Sequence, residues 1–175
     1  DSTFIAAQIV GLATFFLNAI GHTQMTTKKV YIYNGICNLL SSIQYALLGA
    51  WSGALCCLLA IARNIVFSRF KKKIPLYVLL IYIAINVLIN LGVVHNLLDI
   101  IPILNTLIYA VALWTKDIMT IKIVGLFTCF SGIVYDVFSR AYAAILNETT
   151  VGIIETRCIY LLTKKRKHKK VKKRR

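Results

Sequence analysis

Charge is scarce over most of this chain: 15% of its 175 residues are Asp, Glu, Lys or Arg, and only six of these are acidic. A 58% hydrophobic content and a mean hydropathy of +0.72 exclude an ordinary soluble domain and indicate a membrane protein. The cysteines exclude two further classes. Cys37, Cys56, Cys57, Cys129 and Cys158 lie in apolar stretches, lack CxxC spacing and are odd in number, which argues against a disulfide framework or zinc site and for a packing role. His22, His95 and His168 are too scattered to form a metal site. No nucleophile-base motif and no phosphate-binding glycine loop is present, so neither an enzyme nor a bound cofactor is expected.

What the chain does have is a series of apolar stretches. Residues 74–94 carry no charge, are hydrophobic around the whole circumference of a helix, and are long enough to cross a bilayer. Three spans precede them, at about 3–20, 30–49 and 52–70, and three follow, at about 97–114, 118–135 and 141–163. The first has neither a basic leader nor a small-residue cleavage pattern and is expected to be retained as a span. The last is interrupted by Asn147, Glu148, Glu155 and Arg157. Sliding the sequence by 94 positions lays the segment before the central span over the segment after it without a gap, with Arg63 over Arg157 and Ile65 over Ile159. The expectation is an all-α integral membrane protein of seven transmembrane helices. Residues 1–73 and 95–163 form two parallel three-helix repeats, 74–94 the linker helix, and 164–175 a basic tail.

The net charge of +15 could suggest nucleic acid, but much of it lies after Thr163, where a membrane protein carries a topology signal. No nucleic-acid partner is expected. With the N-terminus outside, the inner loops and tail hold Lys28, Lys29, Arg69, Lys71, Lys72, Lys73, Lys116, Lys122 and the basic residues from Lys164 onward. Of the 21 Lys and Arg residues, only Arg140 falls outside, while Arg63 and Arg157 lie within spans. The C-terminus is therefore expected in the cytoplasm, with the tail on anionic lipid. A homo-oligomer is compatible with this layout.

Polar stripes mark where a solute could go. Asn34, Asn38, Ser41 and Tyr45 recur at i, i+4, i+7 and i+11 on the second span, which is otherwise Ile, Leu and Cys. Pro102, Asn105 and Tyr109 repeat the pattern on the fifth span, and Gln8, Gly11 and Asn18 on the first. Amides are costly in lipid, so such stripes should face protein or a cavity, and the four-membered one favours a cavity. Tyr82, Asn86 and Asn90 on the linker helix fit docking against a neighbouring bundle. Arg63 and Arg157 either snorkel toward the inner surface or form equivalent cationic positions beside a central cavity, with Glu155 compensating part of their charge.

Three segments carry a family resemblance: Ala7-Gln8-Ile9-Val10-Gly11, Ala62-Arg63-Asn64-Ile65-Val66-Phe67 and Ile101-Pro102-Ile103-Leu104. With them the chain resembles the bacterial inner membrane proteins of the YgjV family, which implies an inner-membrane location. The three-one-three layout is similar to that of the SWEET sugar transporters and the PnuC nicotinamide riboside transporters, in which two three-helix bundles surround a substrate pathway. The Pro-Gln dipeptide of many SWEET relatives is absent here, so neither sugar as substrate nor the details of their rocking carries over.

The expected function is a facilitator that moves a small polar solute by alternating access. The expected solute-binding set is Asn34, Asn38, Ser41, Tyr45, Arg63, Asn64, Asn105, Glu155 and Arg157. The alternative is a non-transporting inner membrane protein that acts through lipid or a partner at its basic tail.

Overall fold

The computed structural model describes residues 2–24, 26–70, 74–92, 94 and 96–174, with side chains through 165. Met25, the lysines at 71–73, His95 and the basic side chains beyond 165, on which part of the expected orientation rests, lie outside the described residues. The described residues form seven α-helices: α1 (Ser2–His22), α2 (Thr27–Leu47), α3 (Trp51–Arg69), α4 (Leu76–Leu91), α5 (Ile100–Thr115), α6 (Ile118–Phe138) and α7 (Tyr142–Arg174), with a 3-10 turn, Leu97–Asp99, leading into α5. The basic segment expected as a tail continues α7, whose backbone stays helical through Arg174.

Helix boundaries follow from local chemistry. At the end of α2, Gly49 takes a left-handed φ of 74°. Its N–H donates to the Ala46 carbonyl at 3.1 Å and that of Ala50 to the Tyr45 carbonyl at 2.9 Å, the paired bonds of a Schellman stop. The same two bonds end α6, from Arg140 to Val137 at 3.3 Å and from Ala141 to Asp136 at 2.9 Å. There Arg140, not glycine, holds the left-handed position, with φ 57°. The start of α6 is capped by the Asp117 carboxylate, which accepts from the Thr120 backbone N–H at 3.1 Å.

Each helix but α4 has two neighbours in a closed ring. α1 packs on α2, α2 on α3, α3 on α5, α5 on α6, α6 on α7, and α7 returns to α1. α4 stands outside, against α3 and α5. Its polar line, Tyr82, Asn86 and Asn90, is buried in that contact. Asn90 donates to the Asn86 carbonyl at 2.8 Å and accepts from the Cys56 thiol at 3.5 Å. These residues dock the helix, and its other faces expose Leu80, Ile81 and Leu88.

The elements recur at a spacing of 91, not the 94 of the sequence overlay. Thr27 and Ile118 begin α2 and α6, Trp51 and Tyr142 begin α3 and α7, and Gly49 and Arg140 end α2 and α6, each pair 91 positions apart. Three residues are nearly a full helical turn, but the remainder is a rotation of roughly 60°. That difference moves side chains from one face to another. It separates Arg63 from Arg157, whose structural counterpart at this spacing is Val66, an exposed residue like Arg157 itself.

The ring is apolar outside and polar within, the reverse of a soluble bundle. On α2, beyond the exposed Lys28 and Lys29 of its first turn, the exposed residues are Ile32, Ile36, Leu39, Ile43 and Leu47, opposite the amide stripe. Such an exterior suits lipid, since lipid makes no demand for polar cover. Among the described residues, four segments are long and apolar enough to cross a membrane: α1, α3, the 3-10 turn with α5 (Leu97–Thr115), and α6. α4 is apolar but shorter, at 16 residues. α2 and α7 owe their lower hydropathy to inward polar residues such as Asn34, Asn38, Asn147 and Glu148 and to charged residues at the ends and outside, Lys28 and Lys29 on α2 and Arg157 with the basic run from Lys164 on α7.

Candidate functional site

A cavity of about 190 Å³ lies inside the ring, with room for roughly six water molecules at their liquid volume. All six ring helices contribute to its wall and α4 does not. The cavity-facing positions of α2 are Asn34, Cys37, Asn38, Ser41 and Tyr45, and 91 positions later come Gly125, Thr128, Cys129, Gly132 and Asp136, which face the cavity from α6 together with Tyr135. Two helices with the same inward face thus stand on opposite sides of one space, one lined with amides and hydroxyls, the other with small residues and a carboxylate.

At one end the wall is tied across by Tyr45 and Asp136. The Tyr45 hydroxyl donates to Asp136 Oδ1 at 2.6 Å, joining α2 to α6. Tyr135 packs edge-on against Tyr45, with ring centroids 5.8 Å apart. Its hydroxyl accepts from the Gly53 N–H at 3.2 Å and shares a hydrogen bond with Ser52 Oγ at 2.9 Å. Ser52 in turn donates to Asp99 at 2.9 Å, so the network reaches the turn before α5. A Cβ at Gly53 would lie 3.0 Å from the Tyr135 hydroxyl, so a larger residue there would push the ring aside. Asp136 is 1% exposed and its Oδ2 has no hydrogen-bond partner. Glu148 faces the same space from α7, with its carboxyl carbon about a van der Waals contact from Gly132, where a Cβ would meet it at 3.5 Å.

The other end is held by a buried charge cluster. Glu155 Oε1 lies 2.5 Å from His22 Nδ1 and 3.3 Å from Lys122 Nζ, with Glu155 and Lys122 each 1% exposed. Lys122 also donates to the His22 carbonyl at 2.6 Å, which pins the end of α1 to α6 past α7. Tyr31 donates to the Leu113 carbonyl at 3.0 Å and pins α2 to the end of α5 past α3. Two ions buried this deeply are tolerated because each meets an opposite charge and further hydrogen bonds.

Arg63 lies between these ends and is 2% exposed. Its Nε and Nη2 donate to Asn64 Oδ1 at 3.2 and 3.1 Å, and its Nη1 donates to the Thr106 carbonyl at 3.2 Å. Tyr82 and Tyr109 flank the guanidinium, with ring centroids 5.8 and 5.4 Å away. Asn64 extends the network to the stripe, donating to Asn34 Oδ1 at 2.7 Å, and Asn38 donates to the same oxygen at 2.7 Å. Among the described residues no carboxylate pairs with Arg63, and no group of His, Cys, Asp and Glu could hold a metal ion.

An apolar exterior around a polar interior is the organisation of a membrane protein, and one comparison gives it a family. A family model, Imp-YgjV, described as a bacterial inner membrane protein, matches residues 5–166. The chain belongs to that family. No curated protein and no solved structure matches it.

In this YgjV-family chain, the structure brings Asn34, Asn38, Ser41, Tyr45, Arg63 and Asn105 to the cavity wall, with Asn64 directly behind Arg63. Pro102 and Tyr109 line it with Asn105, and Asn18 from the first stripe joins them, donating to Asn147 at 3.1 Å. Gln8 instead packs at the start of α7, accepting from the Ala143 N–H at 3.0 Å. Glu155 does not face Arg63; its partners are His22 and Lys122. Arg157 is exposed on the far side of α7. Lys122, expected among the inner-loop charges, lies within α6 and is buried.

Among the site residues outside the expected set are four that can carry charge: His22, Lys122, Asp136 and Glu148. Some signal for them was present. Glu148 and Glu155 are seven apart with Val151 between, one face of a helix, and Asp136 follows Cys129 and Gly132 at the same spacing.

Proposed function

We propose that the protein is a seven-span transporter, a facilitator that carries a small polar solute across the bacterial inner membrane by alternating access. α1 to α3 and α5 to α7 act as two parallel three-helix units, with α4 as the linker that lets them share one orientation. The 91-residue recurrence of helix starts, turns and inward faces supports this division. With the N-terminus outside and the C-terminus cytoplasmic, the Tyr45–Asp136 tie is the outer gate. The Tyr31–Leu113 and Lys122–His22 ties form the inner one.

The observation that carries the proposal is a polar cavity walled by all six ring helices and bridged at both ends by side-chain hydrogen bonds between the units, from Tyr45 and Tyr135 at one end and from Tyr31, Lys122 and His22 at the other. A structural amide network needs no such space. Releasing one end while the other holds would expose the cavity to one side at a time, and the solute would bias this equilibrium by its differential affinity for the two states.

The test is a thermal-unfolding screen of the purified protein against amino acids, amines, sugars, nucleosides and vitamins, followed by counterflow in vesicles with whatever stabilises it. A ligand at a hundred times its Kd adds about 2.7 kcal/mol of stability to the state that binds it. Stabilisation and exchange of the same solute support the proposal. An intact fold that responds to no solute would favour the alternative, an inner membrane protein that acts through lipid or a partner at its basic segment.

A further inference from the structure

Charges inside the ring are treated in two different ways. Glu155 is met by Lys122 and His22, so that end of the cavity is neutralised by the protein itself. Asp136 and Glu148 have no cationic partner, and Arg63 has no anionic one, among the described residues. Asp136 Oδ2 is buried without any hydrogen bond, as is Glu155 Oε2, but only Glu155 has cationic groups beside it. Arg63 has five N–H donors, and the three bonds it makes leave two for another acceptor. A buried charge without a counter-charge is costly, and the cavity holds two carboxyl groups and a guanidinium that do not meet.

Resting on the transporter reading above, we infer that the solute is a small zwitterion, its amine held at Asp136 and Glu148 and its carboxylate at Arg63. Tyr45 and Tyr135 stand beside the carboxylates, and aromatic faces suit an ammonium group. The two spare guanidinium donors match the two oxygens of a carboxylate. Spacing sets the length of the solute. Glu148 lies beside Gly132, and Tyr109, which flanks Arg63, beside Gly125; seven residues of α6 separate the two levels by roughly 10 Å. The guanidinium and the carboxyl groups are thus approached at different levels of the cavity, which favours a solute whose two charges are set farther apart than in an α-amino acid, as in an ω-amino acid with intervening carbons. A metal ion would need more clustered ligands than the cavity has.

The series of ω-amino acids from glycine to 6-aminohexanoate therefore serves as a ruler in thermal unfolding of the purified full chain. Stabilisation is expected to peak at an intermediate length, and the methyl ester and the N-acetyl derivative of the best member are each expected to bind tenfold weaker or worse. Glu148→Gln and Asp136→Asn should reduce discrimination between the amine and its N-acetyl form, and Arg63→Gln discrimination between the acid and its ester. Arg63→Lys, which keeps the charge, guards against a fold that fails for want of any cation. Stabilisation and exchange of an uncharged solute, with no response to the zwitterions, would overturn the inference and leave the transporter reading standing. No response to any solute class would overturn both. Equal binding of a zwitterion and its two singly charged derivatives would show that the unpaired groups do not recognise charge, and would also overturn it.

Discussion

Tyr31 and Lys122 lie 91 positions apart and make the same connection: each side chain reaches past a neighbouring helix and donates to the last turn of another, at the carbonyls of Leu113 and His22. Those two acceptors are themselves 91 apart. A phenol does on one side of the ring what an ammonium does on the other, and the ammonium brings with it the need for Glu155. The equivalence is one of position and role, with different chemistry.

Lys122 and Glu155 should therefore be energetically coupled. Lys122→Met leaves a carboxylate buried beside His22 alone and is expected to destabilise the protein by about 3 to 5 kcal/mol. Adding Glu155→Gln should recover most of the loss. Tyr31→Phe removes one neutral hydrogen bond and should cost about 1 kcal/mol. Thermal unfolding in detergent measures all three, and a double variant as damaged as the sum of its parts would show that the pair is not coupled.

Arg63 and Arg157 should behave differently on replacement by Lys. The fork of Arg63 bonds Asn64 twice and the Thr106 carbonyl once, a pattern an ammonium cannot reproduce, so Arg63→Lys is expected to lower stability and solute binding. Arg157 is exposed, and Arg157→Lys should leave both unchanged within about 0.5 kcal/mol. Equal loss in the two variants would contradict the placement of Arg157.

Two glycines provide a matched pair. A Cβ at Gly11 would lie 2.5 Å from Gln44 Nε2 and 2.7 Å from Ala143 Cβ, so Gly11→Ala should disturb the junction of α1, α2 and α7. At Gly35, on α2, nothing lies within 4 Å of such a carbon, and Gly35→Ala should raise stability by up to about 1 kcal/mol through helix propensity. Melting temperatures that move the same way in both variants would argue against the close approach at Gly11.

Helix number, the inward face of α2 and the docking face of α4 were legible in the sequence because each is a periodic pattern along one helix. Asn34 to Tyr45 and Tyr82 to Asn90 needed only the 3.6-residue repeat. The relation between the halves was harder to see. An offset of 94 matched Arg63 to Arg157 by identity, but the helices recur at 91, and the landmark that fixes this, the turn after α6, is held by Arg140 where a glycine would have announced it. Lys122, near the start of its helix, reads as a topology charge, and His22 as one of three scattered histidines. Only the tertiary contact with Glu155 gives them a structural role.

Alternating access can be tested without knowing the solute. In a background lacking the other native cysteines, Cys57 serves as the cavity reporter, and a bifunctional thiol crosslinker locks either Tyr45→Cys with Asp136→Cys or Tyr31→Cys with Leu113→Cys. The measurement is the rate at which a membrane-impermeant maleimide labels Cys57 from each face of oriented vesicles. Locking the Tyr45–Asp136 end is predicted to leave Cys57 reachable only from the cytoplasmic side, and locking the Tyr31–Leu113 end only from the outside. Labelling that is the same from both faces whichever end is locked would contradict a cavity opened alternately by these two sets of ties.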